Sequence, residues 1–136
     1  MEKARDELIG EFHNKMVTTA VRELSPIGVR MEVNMEGEIK GRLNARSLDT
    51  SNVLFKTDGT YEYETKSVAT TMEGDTVVLW GSGTGRSTGP MTASLEGEVH
   101  YMTQSPRLNW LNNTTARTEG TVDRVSREIQ GRVYKK

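Results

Sequence analysis

The chain has 136 residues, of which 34% are hydrophobic, 6% aromatic and 27% charged, and 18 Lys and Arg nearly cancel 19 Asp and Glu to leave −1. One domain spanning 1–136 fits that length at roughly 100–200 residues per domain, and a near-neutral chain without a basic block offers nucleic acid no electrostatic footprint. Zero Cys excludes disulfides, thiolate zinc sites and thiol redox chemistry.

No run approaches the ~20 apolar residues of a membrane span. The charged start Met1-Glu2-Lys3-Ala4-Arg5-Asp6-Glu7 leads into no signal-peptide core. The expectation is a cytoplasmic protein with neither membrane nor nucleic acid among its partners.

Leu8, Ile9 and Phe12 stand at helical spacing behind mixed charges, so residues 1–15 are predicted to carry a short amphipathic helix. Met16, Ala20 and Leu24 would prolong that stripe. The β-branched Val17, Thr18, Thr19 and Val21 favour a strand instead. Ser25-Pro26-Ile27-Gly28 breaks either structure.

From Val29 the period becomes two, and residues 29–134 are predicted to form strands. Val29, Met31, Val33 and Met35 share one face while Arg30, Glu32, Asn34 and Glu36 share the other. Val53 and Phe55 lead into Thr57-Asp58-Gly59, a hairpin-turn signal. The return strand sets Tyr61, Tyr63, Thr65 and Ser67 opposite Glu62, Glu64 and Lys66. Leu95, Gly97, Val99 and Tyr101 alternate with Glu96, Glu98 and His100. Further strands are predicted at Thr76–Trp80, Arg117–Val125 and Glu128–Tyr134. About eight strands at short intervals, with no crossover helix, predict an all-β antiparallel barrel, whose closure removes exposed edges.

The Glu-Gly pairs at Gly37, Gly97 and Gly120 read as turns or bulges beside strands, as does Glu73-Gly74. Gly81-Ser82-Gly83-Thr84-Gly85-Arg86 lacks the dinucleotide-binding spacing and no helix follows it. It reads as a hairpin loop, or as a mobile lid at a barrel mouth.

Candidate functional residues follow from these faces. Tyr61, Tyr63 and Tyr101 offer ring surface with a polar tip, suited either to core packing or to lining a cavity for an apolar or aromatic ligand. His100 shares its face with Glu96 and Glu98. A solvated charged face, general acid–base use and a metal site all fit that pattern, although same-face neighbours are nearly 7 Å apart on a strand and chelate poorly. Metal and cofactor are accordingly expected to be absent. In Pro106-Arg107-Leu108-Asn109-Trp110-Leu111-Asn112-Asn113, Trp110 and Leu111 read as the anchor of a loop that plugs the barrel. Arg107 or Asn109 would face a ligand carboxylate or carbonyl if the loop lines a pocket.

Four segments carry a resemblance in order and approximate spacing: Glu36-Gly37-Glu38-Ile39-Lys40-Gly41, Thr57-Asp58-Gly59-Thr60, Tyr101-Met102-Thr103-Gln104-Ser105-Pro106-Arg107 and Trp110-Leu111-Asn112. Over residues 29–134 the chain resembles the bacterial and fungal family called domain of unknown function three-two-three-seven. The resemblance implies a small β-barrel and supplies no catalytic residue. Allene-oxide-cyclase-like and lipocalin-like barrels are similar at the level of fold, which does not fix function.

Three functions fit this reading. One is a barrel that binds a small apolar or aromatic molecule, with Tyr61, Tyr63, His100, Tyr101, Arg107, Asn109 and Trp110 as candidate contacts. A second is a cofactor-independent isomerase, cyclase or lyase using Tyr or His acid–base chemistry. The third is an oligomeric scaffold with a filled interior. A homo-oligomer is the expected assembly. An open cavity holding a His or carboxylate of perturbed pKa would favour enzyme over binder.

Overall fold

The computed structural model describes residues 6–136. Eight strands, β1 (Glu7–Ser25), β2 (Gly28–Gly41), β3 (Ala45–Lys56), β4 (Thr60–Thr71), β5 (Thr76–Gly89), β6 (Thr92–Thr103), β7 (Thr115–Asp123) and β8 (Glu128–Lys135), are joined in sequence order into a closed barrel. Each pairs antiparallel with its neighbours, and β1 closes the ring on β8 from Glu7↔Lys135 to Lys15↔Glu128. The all-β, eight-stranded antiparallel barrel read from the alternation is what forms.

Among the described residues the predicted N-terminal helix is absent. Its first five residues lie outside the described ones, and the chain is β-strand from Glu7 to Ser25. Register shifts at Leu8/Gly10, Met16/Thr18 and Val21/Glu23 interrupt the strand. Each such irregularity adds one residue to a period of two, so inward positions acquire the three-residue spacing of a helix. Two-sided pairing with β2 and β8 then decides the matter.

Glycines explain a second difference. Gly81, Gly83 and Gly85 lie within β5, not in a loop or lid. A Cβ at Gly83 would overlap the Tyr63 hydroxyl, and one at Gly85 would overlap the Tyr61 ring. The glycine run is therefore the floor on which two inward tyrosines lie. Of the four Glu-Gly pairs only Gly74 turns the chain, at φ +91°, while Gly37, Gly97 and Gly120 sit inside strands.

The ends of the barrel differ. A 3-10 helix over Pro106–Asn113 crosses one end between β6 and β7. Leu108 and Leu111 point into the barrel there and pack with Ile9, Leu43, Ala69, Val77, Ala116 and Val133. The other end carries four of the hairpin turns, including Asp58-Gly59 with Gly59 at φ +89°. Beneath it Val33, Met35, Val53, Tyr61 and Ala93 form a second cluster.

Among the described residues no helix is long and apolar enough to cross a membrane. Register aligns a row of polar residues across seven of the eight strands: Glu62, Thr84, Glu96, Glu119, Arg132, Glu11 and Lys40.

Candidate functional site: a cavity with a buried carboxylate

Inward residues of adjacent strands leave a space of about 620 Å³ between the plugged end and the hairpin end. Volumes of 300–1,000 Å³ are usual for small-molecule sites. Its walls are mainly apolar, among them Met16, Met31, Val33, Met35, Val53, Phe55, Leu79, Val99, Val122 and Ile129.

Tyr61 and Tyr63 lie in this wall with ring centroids 6.4 Å apart, and Phe55 stands 5.4 Å from Tyr61. The Tyr61 hydroxyl donates to the Ser94 carbonyl at 2.8 Å. Burial pushes its pKa up to about 12. Burial raises Tyr63 as well, partly offset by a hydrogen bond with Thr118. Tyr101 borders the same space but belongs to the plugged-end cluster, where burial raises its pKa too. All three phenols stay neutral near pH 7 and are poor proton donors, because taking a charge out of water disfavours the phenolate.

The other candidates lie elsewhere. His100 faces outward and stacks on Trp80, with ring centroids 5.8 Å apart and planes at 27°. Its Nδ1 is 3.4 Å from the Thr115 hydroxyl. Arg107 sits on the plug, where Nε donates to Asp75 at 2.9 Å and Nη2 to Glu73 at 2.9 Å. The Ser105 hydroxyl, then Thr71 and Arg107, hold the Asp75 carboxyl down at about 2. Asn109 accepts from Asn112 at 3.1 Å within the helix. Trp110 is half-buried under the Arg42 guanidinium, 3.8 Å from its ring centre. Arg107, Asn109 and Trp110 thus shape the plug while Tyr61, Tyr63 and Tyr101 border the cavity. Among the described residues no group of three His, Cys, Asp or Glu is placed to hold a metal ion.

One cavity residue was missed by the sequence reading. Asp49 on β3 is only 7% exposed and points into the apolar space. Ser47 donates to its Oδ2 at 3.0 Å. Directly opposite in register stands Ser67, whose buried Oγ makes no hydrogen bond of ordinary length. Burial raises the Asp49 pKa, and the Ser67 and Ser47 hydroxyls draw it partly back. No Lys, Arg or His among the described residues forms an ion pair with it. Ser51 and Thr65, one pair nearer the mouth, share a hydrogen bond of 2.7 Å. The signal was parity: counting back from Val53 by twos reaches Ser51, Asp49 and Ser47.

No protein-family model matches the chain, and no curated protein matches it. Solved structures do. A conserved protein of unknown function from Rhodopseudomonas palustris is similar at TM-score 0.83 and 14% identity, covering 96% of each chain. A β-barrel-like protein from Acinetobacter baumannii AYE gives 0.84 at 18% identity, covering 96% of this chain and 94% of that one. An enzyme from Penicillium herquei gives 0.66 at 18%, covering 95% and 94%. At these identities the likeness shows the fold: a small closed β-barrel, shared with proteins of unknown function and with one enzyme.

Proposed function

We propose that the barrel holds a small apolar or aromatic molecule in its interior. The observation that carries this reading is the unfilled space of about 620 Å³ with methionine, aliphatic and aromatic walls. Close packing is the rule in protein interiors, and empty space of this size forfeits contacts that a filled core would make. A scaffold with a filled interior has no such space. Met16, Met31 and Met35 line the cavity, whereas Met72, Met91 and Met102 are exposed, and this gives the experiment its readout. Titration of 13C-methyl-methionine protein with ethylbenzene shifts the first three signals and leaves the other three in place. Equal shifts in both sets, or none, refute the proposal.

The enzymatic reading keeps one support. A carboxylate of raised pKa in a cavity is the kind of group that serves as acid or base, and Asp49 is such a group. The tyrosines and His100 lend that reading little, since burial raises the phenol pKa values further above pH 7 and His100 faces outward. Acid–base chemistry in this cavity would therefore run through Asp49.

The remaining expectations belong to the same proposal. Membership of the small-barrel family of unknown function three-two-three-seven is supported by Tyr101–Arg107 and Trp110–Asn112 falling on β6 and the plug. A homo-oligomer is supported by Leu48, Val68, Val78 and Met102, aligned across four strands of the outer face, with Trp80 beside them. A cytoplasmic place is supported by the polar row across seven strands, where a lipid-facing barrel needs an apolar band.

A further inference from the structure

A buried carboxylate without a counter-charge is costly. Such a group leaves an uncompensated charge in a poorly solvating place. Asp49 occupies such a place, with an apolar wall around it and one hydroxyl on Oδ2. Across the ladder the buried Ser67 Oγ makes no hydrogen bond of ordinary length, has the Asp49 carboxyl within its electrostatic reach, and faces the same space. A third polar group, the Ser51–Thr65 hydroxyl pair, lies next along the two strands. Asp49 Oδ1, the Ser67 oxygen and one hydroxyl of that pair together offer three acceptors on one patch of wall. An ammonium group carries three N–H donors and the positive charge that this patch lacks. A neutral alcohol would bring one donor and no charge.

We propose that Asp49, with Ser67 beside it, is the anchor for the protonated amine of a small apolar or aromatic monoamine whose body fills the cavity. This rests on the cavity-binding reading above. The entrance sets the orientation: Arg124 lines the space near the hairpin end, with its guanidinium 5.5 Å from the Phe55 ring centre. A second cation there would be repelled, so the apolar end of the molecule faces the mouth and diamines are excluded.

The test titrates wild-type protein, Asp49→Asn and Ser67→Ala with phenethylamine and with ethylbenzene, following the Met16, Met31 and Met35 methyl signals. A charge-assisted hydrogen bond makes phenethylamine bind wild type about ten- to a hundredfold tighter than ethylbenzene. Asp49→Asn keeps the shape, abolishes that preference and leaves ethylbenzene affinity unchanged. Ser67→Ala weakens phenethylamine roughly two- to tenfold and spares ethylbenzene, and it serves where Asp49→Asn fails to fold. Ethylbenzene binding without any preference for the amine, or with a preference that survives both substitutions, overturns the amine anchor alone. Failure of both probes to bind wild type overturns the cavity reading and the anchor with it.

Discussion

The plugged end and the cavity half of this barrel are built from the same eight strands and treat the interior in opposite ways. At the plugged end the 3-10 helix inserts Leu108 and Leu111 among Ile9, Leu43 and Val77, and the side chains fill the ring. In the cavity half no segment enters. Methionines, Phe55 and the tyrosines line the wall and leave the centre open around Asp49. The difference teaches that closure of a sheet does not decide whether its interior is core or pocket. Eight strands enclose a space that side chains either just fill or leave for one small ligand, and here a single insertion between β6 and β7 makes the choice.

The comparison is broken most directly by truncation at the two ends. Leu111→Ala is expected to cost about 2–5 kcal/mol, the range for emptying a packed site. Val53→Ala, whose side chain already borders open space, is expected to cost about 1.5 kcal/mol, close to the transfer of the two lost methyls with no added cavity cost. Urea denaturation of both variants checks the contrast, and equal losses would mean that the two halves are packed alike. Trp110 ranks below Leu111 in this scheme. Leu108 and Leu111 face the core, while Trp110 lies half-buried against Arg42.

A second experiment sharpens the cavity side by filling it. Gly85→Ala puts a methyl into the Tyr61 ring and against the Ser94 carbonyl that the Tyr61 hydroxyl binds. Overpacking of this kind costs about 1–3 kcal/mol. Thermal unfolding is expected to show that loss, and replacing Tyr61 by Leu in the same background is expected to recover part of it. The smallest effect concerns the rim. Gly59 has positive φ and no atom within 4 Å of where a Cβ would sit. Gly59→Val therefore clashes with nothing but is strained in the left-handed region, at a cost on the order of 1 kcal/mol, and Gly59→Asn costs less because Asn tolerates that region. Equal melting temperatures for the two would remove the turn from the account.

Most of the barrel was legible because its strands keep strict alternation. Val29 to Met35, Tyr61 to Ser67 and Leu95 to Tyr101 fall inward as their pattern requires, and Asp58-Gly59 makes the turn. β1 was not legible, since its register shifts disguise a period of two as helical spacing. The β5 glycines were misread for a related reason. A strand residue without a side chain gives no alternation, and only the tyrosines across the ladder explain why none fits. The site was half legible. Tyr61 and Tyr63 announced themselves as aromatics on a mild face. Asp49 did not, because a carboxylate between two serines looks like solvated surface, while its outward neighbour Leu48 is 63% exposed. Only the parity carried from Val53 separates the two.

The ring of strands also bears on how the chain comes together. Every seam of the barrel but one joins strands consecutive in sequence, so a growing meander of hairpins can form by short-range closure. The exception is β1 against β8, whose partners are as distant as Glu7 and Lys135. Long loops cost more entropy to close than hairpins do, though the cost rises only slowly with length. Until that seam zips, the sheet has two free edges and its interior faces water. Sealing the cavity and joining the chain's first and last strands are therefore a single event, and Asp49 leaves bulk water when it happens.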